Sequence, residues 1–165
     1  MADIDIGYPT DGDWSWITEC YVETAWTSLT DERQRRVSKQ VVQDCIVEQI
    51  TKFREKHGTV NQVFIGRDNN GDRVGFIWVG QTRSGFTGVV QAYILSVYVT
   101  ESCRGQWLGC RLMARAEEWA REIGFTSIGL SVASHNIGAI KLYEKLGYKT
   151  ETSRFSKNLD APMAT

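Results

Sequence analysis

Proline, histidine and net charge are all scarce in this sequence. Two prolines in 165 residues leave no Pro-rich linker, and neither an internal repeat nor a low-complexity run marks a boundary. The chain therefore reads as one domain over residues 1–157 with a frayed tail at 158–165. Nineteen Lys+Arg against 20 Asp+Glu give a formal net charge of −1, so no long-range field draws the chain to nucleic acid or to an anionic membrane, and no basic stripe supports a nucleic-acid partner. A basic local site stays open. No window approaches the ~18 apolar residues of a membrane span, and the opening MADIDIGYPTDGDW has neither the cationic start nor the apolar stretch of a secretory signal. The expectation is a soluble, cytoplasmic protein. Cys20, Cys45, Cys103 and Cys110 form no C-x-x-C pair and neighbour no His cluster, which argues against a metal site and predicts reduced thiols. Cys103 and Cys110 read as a redox pair or as small buried hydrophobes, with the second reading favoured.

The residues that are present pattern into two unlike halves. A strand candidate at 4–8 is followed by Thr10-Asp11-Gly12-Asp13, cap and turn chemistry ahead of an aromatic-rich helix at 14–29. A second helix is predicted from Thr30-Asp31-Glu32, carrying Val37, Val41, Cys45, Val47 and Ile50 towards His57-Gly58. Two β-rich runs, 60–67 and 73–80, flank Asp68-Asn69-Asn70-Gly71-Asp72, whose Asn-Gly step accepts the positive φ angles of a tight hairpin. After a turn at 85–88, the run 89–99 is apolar on both faces, which predicts a central strand with Tyr93, Leu95, Val97 and Val99 on one side and Ile94, Ser96 and Tyr98 on the other. Leu108, Leu112, Ala116, Trp119 and Ile123 recur at steps of three and four, and Gly124 stands where a C-cap glycine belongs, so 107–123 is a helix. A strand at 128–133, a helix opened by Asn136 and closed by Gly147, and a last strand at 148–155 complete the expectation.

The most informative stretch is Arg104-Gly105-Gln106-Trp107-Leu108-Gly109, between the central strand and the 107–123 helix. The first N–H groups of a helix lack intrahelical partners, and with the positive end of the helix dipole they form a site for phosphate oxygens. Gly105 and Gly109 let the backbone curl and approach an anion. An ordinary strand-to-helix turn is the other reading of this segment taken alone. Downstream stands Asn136-Ile137-Gly138-Ala139-Ile140-Lys141-Leu142-Tyr143-Glu144-Lys145-Leu146-Gly147-Tyr148. The two motifs, in this order and with one helix and one strand between them, resemble the GNAT superfamily of N-acetyltransferases over residues 89–155.

That resemblance implies an α/β (α+β) fold with a mixed, largely antiparallel central sheet flanked by helices. It also implies acetyl-CoA as co-substrate, held by its diphosphate on the backbone of Arg104, Gly105, Gln106, Trp107, Leu108, Gly109 and Cys110. In the family the loop reads Q/R-x-x-G-x-G/A; Arg104 matches its first position and Gly109 its last, while Trp107 stands where the middle glycine usually lies. The pantetheine arm is expected to pair with the backbone of Val97, Tyr98 and Val99 as an added strand, with Asn136 contributing a hydrogen bond besides its cap. Tyr143 matches the tyrosine that protonates the departing thiolate; the bland alternative is a core aromatic.

The implied reaction is direct attack of a primary amine, on a small molecule or a peptide, upon the thioester. A cysteine nucleophile is the rival, but Cys103 and Cys110 flank the presumed phosphate loop. The family commonly supplies a glutamate base at positions that here hold Tyr93 and Ser131. Proton removal is left to water, His135, Glu19, Glu23 or no residue. Trp14, Trp16 and Trp26, with Glu19 and Glu23, suit a cationic amine and equally suit a core helix, the favoured reading. Dimerisation is common in the family. A non-catalytic acyl-CoA-binding module is the alternative function, and an unrelated nucleotide-binding α/β protein is disfavoured because the Asn70-Gly71 hairpin does not belong in a mostly parallel sheet.

Overall fold

The computed structural model describes residues 3–55, 60–85 and 87–160. Five strands, β1 (Asp5–Gly7), β2 (Asn61–Arg67), β3 (Arg73–Arg83), β4 (Val90–Val99) and β5 (Ile128–Leu130), form one sheet in the order β1-β2-β3-β4-β5. The first four pair antiparallel, and β5 joins β4 in parallel. Helices α1 (Trp14–Thr27), α2 (Asp31–Gln34), α3 (Lys39–Glu55), α4 (Leu108–Ile123) and α5 (Ile137–Lys145) cover the two faces. The mixed, largely antiparallel sheet is thus the one expected, and the β2–β3 hairpin turns at Gly71 with φ 84°.

Each face of the sheet has its own core. On one, Leu108, Leu112, Met113, Ala116, Trp119 and Ala120 of α4 pack on Phe64, Val74, Ile77, Val79, Ala92 and Ile94, and Tyr143, Leu146 and Tyr148 lie against the same cluster. On the other, Ile17, Cys20 and Val22 of α1 and Ile46 and Ile50 of α3 pack on Val63, Ile65, Phe76 and Trp78. Aromatics stitch α1 to this face: Trp14 meets Trp78 edge-on at 5.5 Å, and Trp16 meets Phe76 and Tyr98 at 6.0 Å. Trp14 and Trp16 are therefore core residues.

The amino half departs from expectation at one capping residue. Thr30 does open a helix, accepting from the Arg33 N–H at 3.4 Å, but that helix stops after one turn and a second begins at Lys39. Ser38 restarts it: the Val41 N–H is shared between its hydroxyl at 3.3 Å and its carbonyl at 3.1 Å, which caps the first turn. The break turns the helix. Val42, Ile46, Ile50 and Phe53 now face the core, while Val37, Val41, Cys45 and Val47 are exposed. His57 and Gly58, where the helix was expected to end, lie outside the described residues.

Two differences affect the carboxyl half. Residues 148–155 form no strand; only Tyr148 and Phe155 are apolar among them, Phe155 is 92% exposed, and a strand without an apolar face gains nothing from joining a short β5. Ile123 likewise lies 51% exposed at the end of α4, outside the buried stripe, where Gly124 closes the helix at φ 98°.

Gly75 sets the spacing of the two central strands. A Cβ there would lie 2.8 Å from the Tyr98 carbonyl oxygen, with Leu112 and Leu108 side chains at 3.2 and 3.3 Å. Backbone on one side and core on the other leave it nowhere to go. Gly75→Ala is expected to cost about 1–3 kcal/mol in urea-induced unfolding, the range for overpacked cores; an unchanged midpoint would show that β4 moves aside freely.

Candidate active site

The site is built where β4 loses one neighbour. Its pairing with β5 covers only Ala92 to Ile94, so from Ser96 to Val99 the strand is paired on the β3 side alone. A bulge lies at the same place: Val79 opposes Ile94 and Trp78 opposes Ser96, which leaves Leu95 without a partner. Bulges of this kind bend a strand and re-aim its side chains. Leu95 and Tyr98 pack into the α1–α3 core, whereas Val97 and Val99 pack into the α4 core. The expected grouping of Leu95 with Val97 and Val99 is thereby overturned, because one extra residue shifts the alternation by one step. Ser96 at the bulge was not picked out from sequence; it is 5% exposed and its hydroxyl has no partner among the described residues.

Beyond β4 the chain makes a short 3-10 turn and enters the loop. Arg104 folds back so that its Nε donates to the Val99 carbonyl at 3.1 Å, and the Gln106 amide donates to Ser102 O at 2.8 Å. Gly105 has φ 75° with nothing within 4 Å of a built Cβ. Trp107 has φ 66°, the one positive value among described non-glycine residues. An L-residue in this region costs roughly 1–2 kcal/mol, and such strain persists where the surroundings fix the backbone. The loop therefore keeps the shape a glycine would give it.

That shape leaves donors free. The first hydrogen bond of α4 runs from Arg111 N to Trp107 O at 3.0 Å, and none of the amides from Gly105 to Cys110 donates to a protein acceptor among the described residues. No acidic residue occupies the first turn of α4. Clustered free amides at a helix start with no competing carboxylate fit a diphosphate. The Leu108 side chain is buried, so only its backbone is available, and Cys110 is half-buried. Gly109 lies where α5 approaches, its built Cβ 3.3 Å from Leu142.

On α5 the Asn136 side chain accepts from Ala139 N at 3.2 Å, the cap read from sequence. In the last turn of the helix, the Tyr143 ring lies 6.0 Å from that of Tyr148. Burial pushes the Tyr143 phenol above its ordinary pKa, so it holds its proton at neutral pH. Tyr148 is engaged elsewhere, its hydroxyl donating to Glu117 at 3.1 Å. Lys145, missed in the sequence, sets its ammonium 4.1 Å from the centroid of the Trp107 indole.

The candidate proton acceptors are dispersed or engaged. The hydroxyls of Tyr93 and Ser131, on the two positions expected to hold a carboxylate, hydrogen-bond each other. Glu23 pairs with Lys39 on the surface, and Glu19 accepts from Ser15 at 3.3 Å. His135 Nε2 lies 2.8 Å from the Thr27 carbonyl; a carbonyl only accepts, so this nitrogen is the donor. Among the described residues no cluster of His, Cys, Asp or Glu is placed to hold a metal ion, and no helix is long and apolar enough to cross a membrane.

Residues 21–148 match the family model described as the acetyltransferase (GNAT) family. The chain belongs to the GNAT family. Among curated GNAT relatives, an uncharacterized N-acetyltransferase, YdgE of Bacillus subtilis, is 32% identical over 92 residues, 56% of this chain and 57% of that protein. The L-methionine sulfoximine/L-methionine sulfone acetyltransferase of Pseudomonas paraeruginosa is 32% identical over 89 residues, 53% of this chain and 50% of that one. The chain thus spans about half the length of these two relatives. The fold is shared over nearly the whole chain with the aminoglycoside N-acetyltransferase AAC(6')-Iy solved in complex with CoA, at TM-score 0.70 and 15% identity, covering 96% of this chain and 97% of that one.

Proposed function

We propose that this GNAT protein is an acetyl-CoA-dependent N-acetyltransferase acting on an α-amino group or a similarly weakly basic primary amine, in the cytoplasm. The observation that carries the coenzyme is the run of free amides from Gly105 to Cys110 beside an open strand edge. Amides of that loop hold the diphosphate, and the backbone of Val97, Tyr98 and Val99 takes the pantetheine arm as an added strand. Asn136 keeps one end of α5 facing the arm, and Tyr143 supplies a proton.

The chemistry follows from these placements. A neutral amine attacks the thioester carbonyl; the N–C bond forms, the C–S bond breaks, the amine releases a proton and the thiolate takes one from Tyr143. Backbone N–H groups at the bulge steady the oxyanion. Water returns the proton to Tyr143 after CoA leaves.

The acceptor class follows from what stands at the base positions. Tyr93 and Ser131 hydrogen-bond each other and offer no carboxylate, so an amine that arrives neutral is favoured. At pH 7 an α-amine of pKa ~7.7–8.0 is roughly a tenth neutral, whereas a lysine near 10.4 is neutral in fewer than about one molecule in a thousand. The relative named for L-methionine sulfone supports an amino-acid-like acceptor. Rates of CoA-thiol release with matched α- and ε-amine acceptors across pH 6–9 test this. The α-amine is expected to be faster by about a hundredfold at pH 7, with the gap narrowing as pH rises; lysine preferred at pH 7 would reject the assignment. All four cysteines are unpaired, which suits a reducing compartment.

A further inference from the structure

We infer that Trp107 and Lys145 together read the nucleotide end of the coenzyme, the indole stacking on adenine and the ammonium pairing with the ribose 3′-phosphate. This rests on the acetyl-CoA reading above and adds a specificity element to it.

Three observations on this chain lead there. Trp107 is the exposed tryptophan of the molecule: Trp78 and Trp119 are buried, Trp14, Trp16 and Trp26 are half-buried, and Trp107 is 55% exposed. Core packing therefore does not account for its size. Its backbone holds a left-handed conformation that glycine would adopt without strain, yet a large aromatic occupies the position, immediately beside the free amides. Lys145 comes from the last turn of α5 to lie over the indole at 4.1 Å, and it makes no ion pair with an acid among the described residues. Its charge is thus not neutralised by a carboxylate.

Coenzyme A carries, outward of the diphosphate, one further charged group and one aromatic ring. The pair at the rim of the loop offers one cation and one aromatic face. Lys145 covers one face of the indole and fixes the ring by cation–π attraction, which leaves the other face for a base. Stacking of a base on an aromatic side chain is tolerant of detail because it needs only two π-faces.

Calorimetric titration of coenzyme A and 3′-dephospho-coenzyme A into the wild-type protein, Trp107→Gly and Lys145→Gln tests the inference without relying on activity. The wild type is expected to bind coenzyme A about tenfold more tightly than the dephospho form, the scale of one charge-assisted contact. Lys145→Gln should bind both alike. Trp107→Gly should weaken both about tenfold, the lower part of the range for losing one stacked base; glycine keeps the loop conformation, and a melting curve checks the fold. Equal wild-type affinity for the two forms, or a Lys145→Gln protein that retains the preference, overturns the inference while leaving the coenzyme site standing. Absence of heat with either form in the wild type removes the coenzyme site and the inference together.

Discussion

Tyr143→Phe is expected to lower kcat by about a hundredfold, the lower bound for losing a positioned proton donor, with the Kd for coenzyme A unchanged. The substitution removes one oxygen and keeps the ring that packs on Tyr148 and the α4 core, so the fold is not put at risk. The proton matters because a thiolate leaves more readily when it is protonated on departure. Burial raises the phenol's pKa, so the donor stays loaded on the alkaline side of the pH–rate profile, and the alkaline limb of the wild type should not fall until above the ordinary tyrosine value near 10. Steady-state kinetics and calorimetry on the same preparations give both numbers. An unaltered kcat would remove Tyr143 from the chemistry, and a wild type that binds the coenzyme without turnover would make the protein a binding module.

The second large effect concerns stability. Asp13 is 1% exposed and holds Arg67 on one oxygen and Arg73 on the other, while the same carboxylate accepts from the Thr10 N–H at 2.7 Å. Its neighbours come from the turn ahead of α1 and from both strands of the hairpin, so one side chain at the entry to the first helix ties that entry to the sheet. Burial acts to raise its pKa, but the Thr10 amide and then the Arg73 and Arg67 guanidinium groups together hold it well below the usual carboxylate range. Asp13→Ala is expected to cost about 3 kcal/mol in denaturant unfolding at pH 7, the lower part of the range for breaking a buried pair, because both arginines keep partial access to water.

The pH dependence has a definite sign. A carboxylate with a depressed folded pKa adds stability that is fully present above its unfolded value near 3.8 and is lost as pH falls towards the folded value. Unfolding free energy of the wild type should therefore decline below about pH 4 more steeply than that of Asp13→Asn, which has no proton to take up. Parallel curves would mean that the pairing is not maintained in solution.

Much of this architecture could be read from short stretches. The buried stripe of α4, the Gly124 stop, the Asn136 cap and the Asn70-Gly71 hairpin each depend on residues within a few positions of one another, where propensity and hydrogen-bond chemistry act directly. The anion loop belongs with them, because a strand running into a helix must leave amides free wherever it occurs. The Ser38 restart was also local, but Thr30, eight residues earlier, offered a competing cap, and Val37, Val41, Cys45 and Val47 suggested one continuous face.

The order of residues alone placed α1, the β2–β3 hairpin, β4, α4 and α5, and with them the loop between β4 and α4. The bulge at Leu95, the early parting of β5 from β4, the clamp on Asp13, the split between α2 and α3 and the meeting of Lys145 with Trp107 arise in the packed chain. The physical reason is range: each of these depends on how distant segments share space, where packing of two cores against one sheet outweighs the preference of any single residue.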